Sequence, residues 1–363
     1  MSGVCAQCER RSWLLEQLSV GLAFGARDLP RFWSLLELPD AELTDAIGGR
    51  RGAELHVAYA QWEPAPAQAG EGLERICRHH RAYPASLRNH ALAPHTLSVR
   101  GGVERLGGLL AETVVAIVGT RRASDYGMET ARGLARGLAA SGVTVASGLA
   151  EGIPTAVHVG ALEAHGTTLT VMAAGVERCS PAWCSALYRR ITSSGCAISE
   201  TSSSPRAWRW GEPARARTLA LLAQLVIVVE AEERPWELAC AHVAQAHERH
   251  VAAVPGRVSS PVSRGTNSLL MGGAQMVRSP QDALDLLYGI GTHEAHEPST
   301  ELEQPLQAIL EQVGAGMDTM GKLTESGSRS GDVALALVEL ELRGLIVRGD
   351  GGRYVPCAGA LAG

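Results

Sequence analysis

Three short runs combine small residues with side chains that suit an anion. Val118-Gly119-Thr120-Arg121-Arg122-Ala123-Ser124 follows an apolar run and precedes a helical pattern. A glycine turn that opens a helix presents free N–H groups and a positive dipole end, which together hold a phosphate. Arg121 stands where the fingerprint Gly-x-Gly-x-x-Gly has its second glycine, so a guanidinium would meet the phosphate there. Ser147-Gly148-Leu149-Ala150-Glu151-Gly152-Ile153 is a second such turn, and Ala173-Ala174-Gly175-Val176 is a third. Arg206, Arg209, Arg215 and Arg217 form the densest basic cluster, opposed locally by Glu212 alone. The competing reading is plain: the turns close strand–helix units and the arginines are solvated.

Two further groups could do chemistry. His158 could act as a general base, but no Ser or Cys nucleophile with a carboxylate stands at a motif spacing. A histidine packed inside a helix is the simpler reading. Cys5-x-x-Cys8 has the spacing of half a zinc site. Its nearest further donors, Cys77, His79 and His80, are about 70 residues away, and there is no second Cys-x-x-Cys. No metal and no cofactor is therefore expected, and the role of Cys5 and Cys8 stays open. Cys179, Cys184, Cys196 and Cys240 read as small core residues.

The elements that must position these residues follow from hydrophobic patterning. Residues 1–80 read as a helical N-terminal domain, with Glu63–Gly70 a loop rich in Pro and Ala. An extended lead-in, Pro94 to Gly101, follows. Strand-like runs are Val114–Val118, Val143–Ala146, Thr168–Met172, Ala197–Ser199, Leu225–Val229 and Val251–Val254, with Gln275–Val277 a short edge. Helical segments alternate with them: Asp125–Ala140, Pro154–Ala164, Ala182–Ser194, Pro213–Ala223 and Pro235–Arg249. The strand runs are continuously apolar, as in strands covered on both faces. The expected class is α/β, a Rossmann-like doubly wound, mostly parallel sheet, within a domain spanning 81–289. Residues 290–304 read as a linker. Helices at 305–313, 320–326 and 332–343 and a hairpin at 345–355 make a C-terminal winged helix over 305–357.

Composition narrows the function. Of 363 residues, 45% are apolar and 20% charged, which excludes a wholly disordered chain. No apolar run reaches the roughly 18 residues of a membrane helix, and the N-terminal run has no apolar core, so neither a span nor a signal peptide is expected. The eight cysteines then read as reduced thiols of a cytoplasmic protein. Only 15 residues are aromatic, so platforms for stacking bases must be few. Residues 1–113 carry a net charge of −1, residues 114–278 +4 and residues 279–363 −8, so only the middle tolerates a polyanion. Within 303–357 five basic face eight acidic residues, and helix 332–343 lacks a basic face. The C-terminal unit is therefore expected to dock on protein and not to read duplex DNA, the wing, where Arg348 and Arg353 flank the turn, being the exception left open. Lys322 is the single lysine beside 32 arginines, a bias of the whole chain that fits a GC-rich genome.

Taken in order, these runs resemble the DNA-processing protein A (DprA/Smf) family. The resemblance begins at Tyr83-Pro84-x-x-Leu87 and Pro94-x-x-Leu97-x-Val99-x-Gly101 and runs through Val115 to Gly127 and Ser147 to Ile153. It continues through His158 to Leu162, Ile198-Ser199-Glu200, Val228 to Ala231, Ala253 to Gly256 and Ser263-Arg264-Gly265-Thr266-Asn267-Ser268-Leu269-Leu270. Leu337 to Gly344 and Gly352 to Val355 are similar to its terminal winged helix. The resemblance implies a single-stranded DNA-binding protein of natural transformation and recombination, homodimeric and without catalytic activity. Such a protein protects incoming strands and helps load the RecA recombinase. It implies DNA or phosphate contacts from Gly119, Thr120, Arg121, Arg122, Ser124, Ser147, Gly148, Arg215, Arg217, Thr266 and Asn267.

The chain also departs from the family pattern. Glu212 replaces an aromatic, Ala214 an arginine and Ala216 an asparagine in the arginine segment; Pro154 replaces an aspartate, and Ser180 to Cys184 replaces Tyr-Pro-x-x-Asn. Two other readings therefore stay open. One is a nucleotide-binding enzyme using Glu151, Glu200 or Glu230, which turnover with nucleotide and metal would reveal. The other is a divergent adaptor that has lost DNA binding, which a titration with single strands at two salt concentrations would separate from a binder.

Overall fold

The computed structural model describes residues 3–64, 72–177, 179, 182–201, 208–296, 304–325, 330–342, 345–349 and 352–356. These form two compact units, Met1–Pro298 and Ser299–Gly363. The first unit opens with five helices: α1 Ala6–Gln17, α2 Ser19–Gly25, α3 Leu29–Glu37, α4 Asp40–Ile47 and α5 Gly52–Ala60. Asp28 caps α3 by accepting from the Arg31 N–H at 3.3 Å, and Pro30 suits its first turn. Leu14, Leu22, Phe32 and Leu43 are fully buried, in one cluster with Trp210 and Ala214 from far along the chain.

Nine strands then build one sheet: β1 Leu73–Cys77, β2 Thr96–Arg100, β3 Val114–Val118, β4 Thr144–Ser147, β5 Thr168–Val171, β6 Cys196–Ser199, β7 Leu225–Val228, β8 His250–Ala253 and β9 Gln275–Met276. Helices connect them: α6 Ala85–Arg88, α7 Val103–Ala111, α8 Asp125–Ala140, α9 Ile153–Glu163, α10 Ser185–Ser194, α11 Trp208–Leu222, α12 Ala239–Ala246 and α13 Arg264–Met271. α14 Pro280–Tyr288 closes the unit. The strand order is β1-β2-β6-β5-β4-β3-β7-β8-β9. From β6 to β9 every pair is parallel, while β2 joins β6, and β1 joins β2, antiparallel.

The expected doubly wound sheet is present, and the reason is visible in β3. Val114 and Ala116 face a core shared with α7, α11 and α12, whereas Val115 and Ile117 face α8, α9 and α14. A strand buried on both faces has no polar side, hence the unbroken apolar run. The structure differs from the sequence reading at the sheet's other edge. Leu73–Cys77, assigned to the helical N-terminal segment, is a strand of the main sheet. Its alternation is obscured by Glu74 and Arg75, which lie on a half-covered edge.

The second unit contains α15 Gln304–Gly314, α16 Met320–Glu325 and α17 Ser330–Leu342. An antiparallel pair follows, β10 Ile346–Arg348 with β11 Tyr354–Pro356. Leu306, Leu310, Leu323, Leu337, Leu340 and Ile346 form its own core. Arg343, and Asp350 and Gly351 of the expected hairpin turn, lie outside the described residues.

Candidate functional site

In a sheet of this order the chain reverses direction between β3 and β7, and a crevice opens there at the strands' carboxyl ends. Here that crevice is filled from within. Glu230, two residues past β7, is 2% exposed and lies at the N-terminus of α8. Its carboxylate accepts from the Ser124 N–H at 2.9 Å and the Ser124 hydroxyl at 2.6 Å. Its backbone carbonyl accepts from the Thr120 N–H at 2.7 Å. Ser124 in turn caps α8 by accepting from the Gly127 N–H at 3.1 Å. Glycine is required at 119 and 127, because a Cβ at either would overlap Glu230. The positive end of α8 thus already holds an anion, the chain's own carboxylate.

The turn after β4 is fixed by His158 of α9. The ring is fully buried; Nε2 lies 2.9 Å from the Gly148 carbonyl and Nδ1 2.8 Å from the Thr168 hydroxyl. Burial holds its pKa down at about 4, so the ring is neutral at pH 7, with Nε2–H donating to Gly148 and Nδ1 beside the Thr168 hydroxyl, which also reaches the Val145 carbonyl at 2.9 Å. This makes His158 a positioning group for the turn. Gly152 (φ +74°) lets the same turn lie against the β3 turn, where a Cβ would come within 2.6 Å of the Thr120 and Arg121 carbonyls. α11 crosses the rim so closely that a side chain at Gly211 would overlap the Ala173 carbonyl.

The three turns and α11 enclose an open cavity of about 410 Å³, displaced from β3/β7 toward β4 and β5. Arg121, Leu149 to Glu151, Met172 to Ala174, Trp183, Glu212 and Arg215 line it. Trp183, half-exposed, offers a flat aromatic face. The charged lining is balanced: two arginines against Glu151 and Glu212. Glu212 accepts from both Arg121 and, at 2.7 Å, Arg215. Although burial acts to raise its pKa, Arg215 and Arg121 together hold that carboxyl below its ordinary value. Glu212 therefore stays ionised and occupies both cations.

A family model described as DNA recombination-mediator protein A matches residues 74–288. The chain belongs to this family. Over 260 residues it is 36% identical to a putative DNA processing protein DprA of Mycobacterium tuberculosis, covering 69% of this chain and 66% of that one. It is 31% identical over 281 residues to protein Smf of Escherichia coli, covering 74% of each. Among solved structures it is similar to DNA processing protein A (DprA) from Streptococcus pneumoniae, with TM-score 0.61 and 28% identity over 80% of this chain and 97% of that one.

Of the residues expected to touch phosphate, the structure gathers Gly119, Thr120, Arg121, Arg122, Gly148 and Arg215 at the rim, with the Arg215 guanidinium packed on Gly148. Arg121 and Arg122 are exposed. Thr120 is buried, with its N–H on the Glu230 carbonyl and its hydroxyl accepting from the Arg122 N–H at 3.2 Å, and five further expectations need correction. Ser124 spends its N–H and hydroxyl on Glu230. Ser147 is buried and donates to the Ile117 carbonyl at 2.7 Å. Thr266 is buried and donates to the Ser263 carbonyl at 3.1 Å. The Asn267 amide pins the loop after β8 through both the N–H and carbonyl of Gly256. Arg217 is 2% exposed and paired with both oxygens of Glu200. Side chains at 206 and 209 lie outside the described residues.

Two constellations were missed in the sequence. Trp183 joins the arginines only because the turn before α10 and the start of α11 both lie over the β5 rim, although the departure at 180–184 marked the spot. The second lies away from the cavity. No metal was expected because Cys5-x-x-Cys8 and the next donors are far apart in sequence. The fold closes that gap: Cys5, Cys8, Cys77 and His79 bring their donor atoms within 4.8 Å of one another. Burial raises the Cys5 thiol, but hydrogen bonds from the Cys8 backbone, His79, Cys8 and Cys77 outweigh it and bring its pKa to about 7.

Proposed function

We propose that the chain is a single-stranded DNA-binding recombination mediator that engages the strand at the β3–β4–β5 rim. The observation that carries this reading is the cavity in which Arg121 and Arg215 stand beside the exposed face of Trp183. An arginine fork suits the backbone phosphate, and an aromatic face takes a base without regard to sequence. Exposed Arg122 extends the cationic side. The likeness to DprA supports the same assignment, and with it homodimerisation, protection of incoming strands in natural transformation, RecA loading and a cytoplasmic setting. Among the described residues no helix is long and apolar enough to cross a membrane. We read the chain as a binder, not an enzyme: of the three carboxylates near strand ends, Glu200 is committed to Arg217 and Glu230 to Ser124. We read the C-terminal unit as a winged helix that docks on protein.

One observation favours a second reading, an adaptor with weakened DNA binding. Glu212 pairs with both cavity arginines and must be displaced, or repelled, by an arriving phosphate. Titrating the chain with a labelled oligo-dT at two salt concentrations distinguishes the two. A binder gives salt-dependent affinity that Trp183→Ala lowers about 5- to 100-fold and Arg121→Ala also lowers. Absence of saturable binding at low salt decides for the adaptor.

A further inference from the structure

The N-terminal segment is stitched to the sheet before α1 begins. Gly3 pairs with Ile76 on the edge of β1: its N–H donates to the Arg75 carbonyl at 3.1 Å, and its carbonyl accepts from the Cys77 N–H at 3.3 Å. Two residues on, Cys5 immediately precedes α1, and Cys8 lies in that helix's first turn. Cys77 ends β1, and His79 follows two residues later. Four donor side chains from two distant segments therefore converge on one point. The Cys5 and Cys8 sulfurs lie 3.3 Å and 3.4 Å from His79 Nδ1, and the Cys5 N–H donates to the Cys77 sulfur at 3.5 Å.

We propose that Cys5, Cys8, Cys77 and His79 form a structural zinc site that clamps the N-terminus of α1 to the end of β1. A tetrahedral Zn²⁺ with Zn–S near 2.3 Å and Zn–N near 2.0 Å sets its ligand atoms about 3.5–3.8 Å apart. The two sulfur–nitrogen separations need only tenths of an ångström of adjustment, and no pair in the set, all within 4.8 Å, needs to close by more than about 1 Å. Three thiolates and one imidazole are soft donors that select zinc over magnesium or calcium. Four protein ligands leave no position for substrate, so the site is structural and not catalytic. The Cys5 N–H directed at the Cys77 sulfur is the outer hydrogen bond that orients a thiolate ligand. Cys8 and Cys77 are each 1% exposed, while His79 is exposed and gives the ion its way in. Binding displaces the thiol protons to solvent. His80 is excluded from the set: its Nδ1 accepts from the Ala82 N–H at 3.2 Å, and its ring packs on Gly3. None of this depends on the DNA-binding reading.

The test uses the full chain, purified under reducing conditions without chelator. Elemental analysis should find about one zinc per chain, absent after Cys8→Ser. The metal-free chain titrated with Co²⁺ should develop the visible bands of a tetrahedral thiolate complex, saturating at one equivalent. Competition with a chromophoric chelator should show zinc held at least about 10-fold more weakly by His79→Ala and unchanged by His80→Ala. Because His79 is exposed, its variant keeps the test alive even where Cys8→Ser fails to fold. The proposal is overturned if the reduced wild-type chain carries no zinc and gives no tetrahedral cobalt spectrum. It is also overturned if iron occupies the site, or if His79→Ala binds zinc as the wild type does.

Discussion

Replacing Glu212 by alanine should tighten single-strand binding. The carboxylate holds Arg121 and, at 2.7 Å, Arg215, so both guanidinium groups are committed before a strand arrives. A phosphate seated on either arginine would lie about 6 Å from Glu212. At an effective dielectric between about 20 and 80, that repulsion costs roughly 0.7–3 kcal/mol, or about 3- to 100-fold in affinity. Removing it should tighten binding by that factor. The salt dependence should steepen by about 0.7 in log–log slope for each arginine released onto phosphate. Fluorescence anisotropy with an oligo-dT at two or more salt concentrations reads both quantities. Arg121→Ala should then cost more affinity in the Glu212→Ala background than in the wild type, because only there is the arginine unpaired. The melting temperature should move little, since Glu212 is partly exposed and the buried Arg217–Glu200 pair is untouched. Equal or weaker binding by a folded Glu212→Ala chain, with an unchanged slope, would refute the placement of DNA at this rim.

Three other outcomes follow from the same contacts. Arg217→Ala strands the buried Glu200 carboxylate, whose pKa burial already raises. It should cost about 3–5 kcal/mol by urea unfolding while leaving DNA affinity per folded molecule unchanged; lost affinity without lost stability would return Arg217 to the DNA site. His158 is held at about 4 and His95 at about 3, both chiefly by burial, against about 6.5 in the unfolded chain. The unfolded chain therefore takes protons first: stability is full above about pH 6.5 and falls by up to about 1.4 kcal/mol per pH unit per histidine as pH drops toward 4. Unfolding at pH 7 and pH 5 should show that fall, and His158→Asn should flatten it; a pH-independent midpoint would contradict neutral burial. A fragment of residues 299–363, which has its own core, should show no duplex-DNA binding at physiological salt, and micromolar binding in a gel-shift assay would reverse that expectation.

What the sequence determined by itself is local. The strands β3 to β8 were legible because a strand covered on both faces must be apolar at every position. α8 was legible from its helical periodicity, and the glycine turns from the same break in pattern. Residue order also carried the family. What only the tertiary structure decided is which group each charge and each thiol meets. Ser124 looked like an open anion site, and strand order placed Glu230 against it. Arg215 and Arg217, two residues apart, point one to the cavity and one into the core. Glu212 turned from a lone opposing charge into the partner of two arginines, one of them on a distant turn. The β1 strand was hidden because an edge strand tolerates Glu74 and Arg75, and with it went the meeting of Cys5 and Cys8 with Cys77 and His79. Periodicity reports only whether a residue faces the interior. The partner it meets is set by how strands pair and helices cross, which brings together residues that no spacing rule connects.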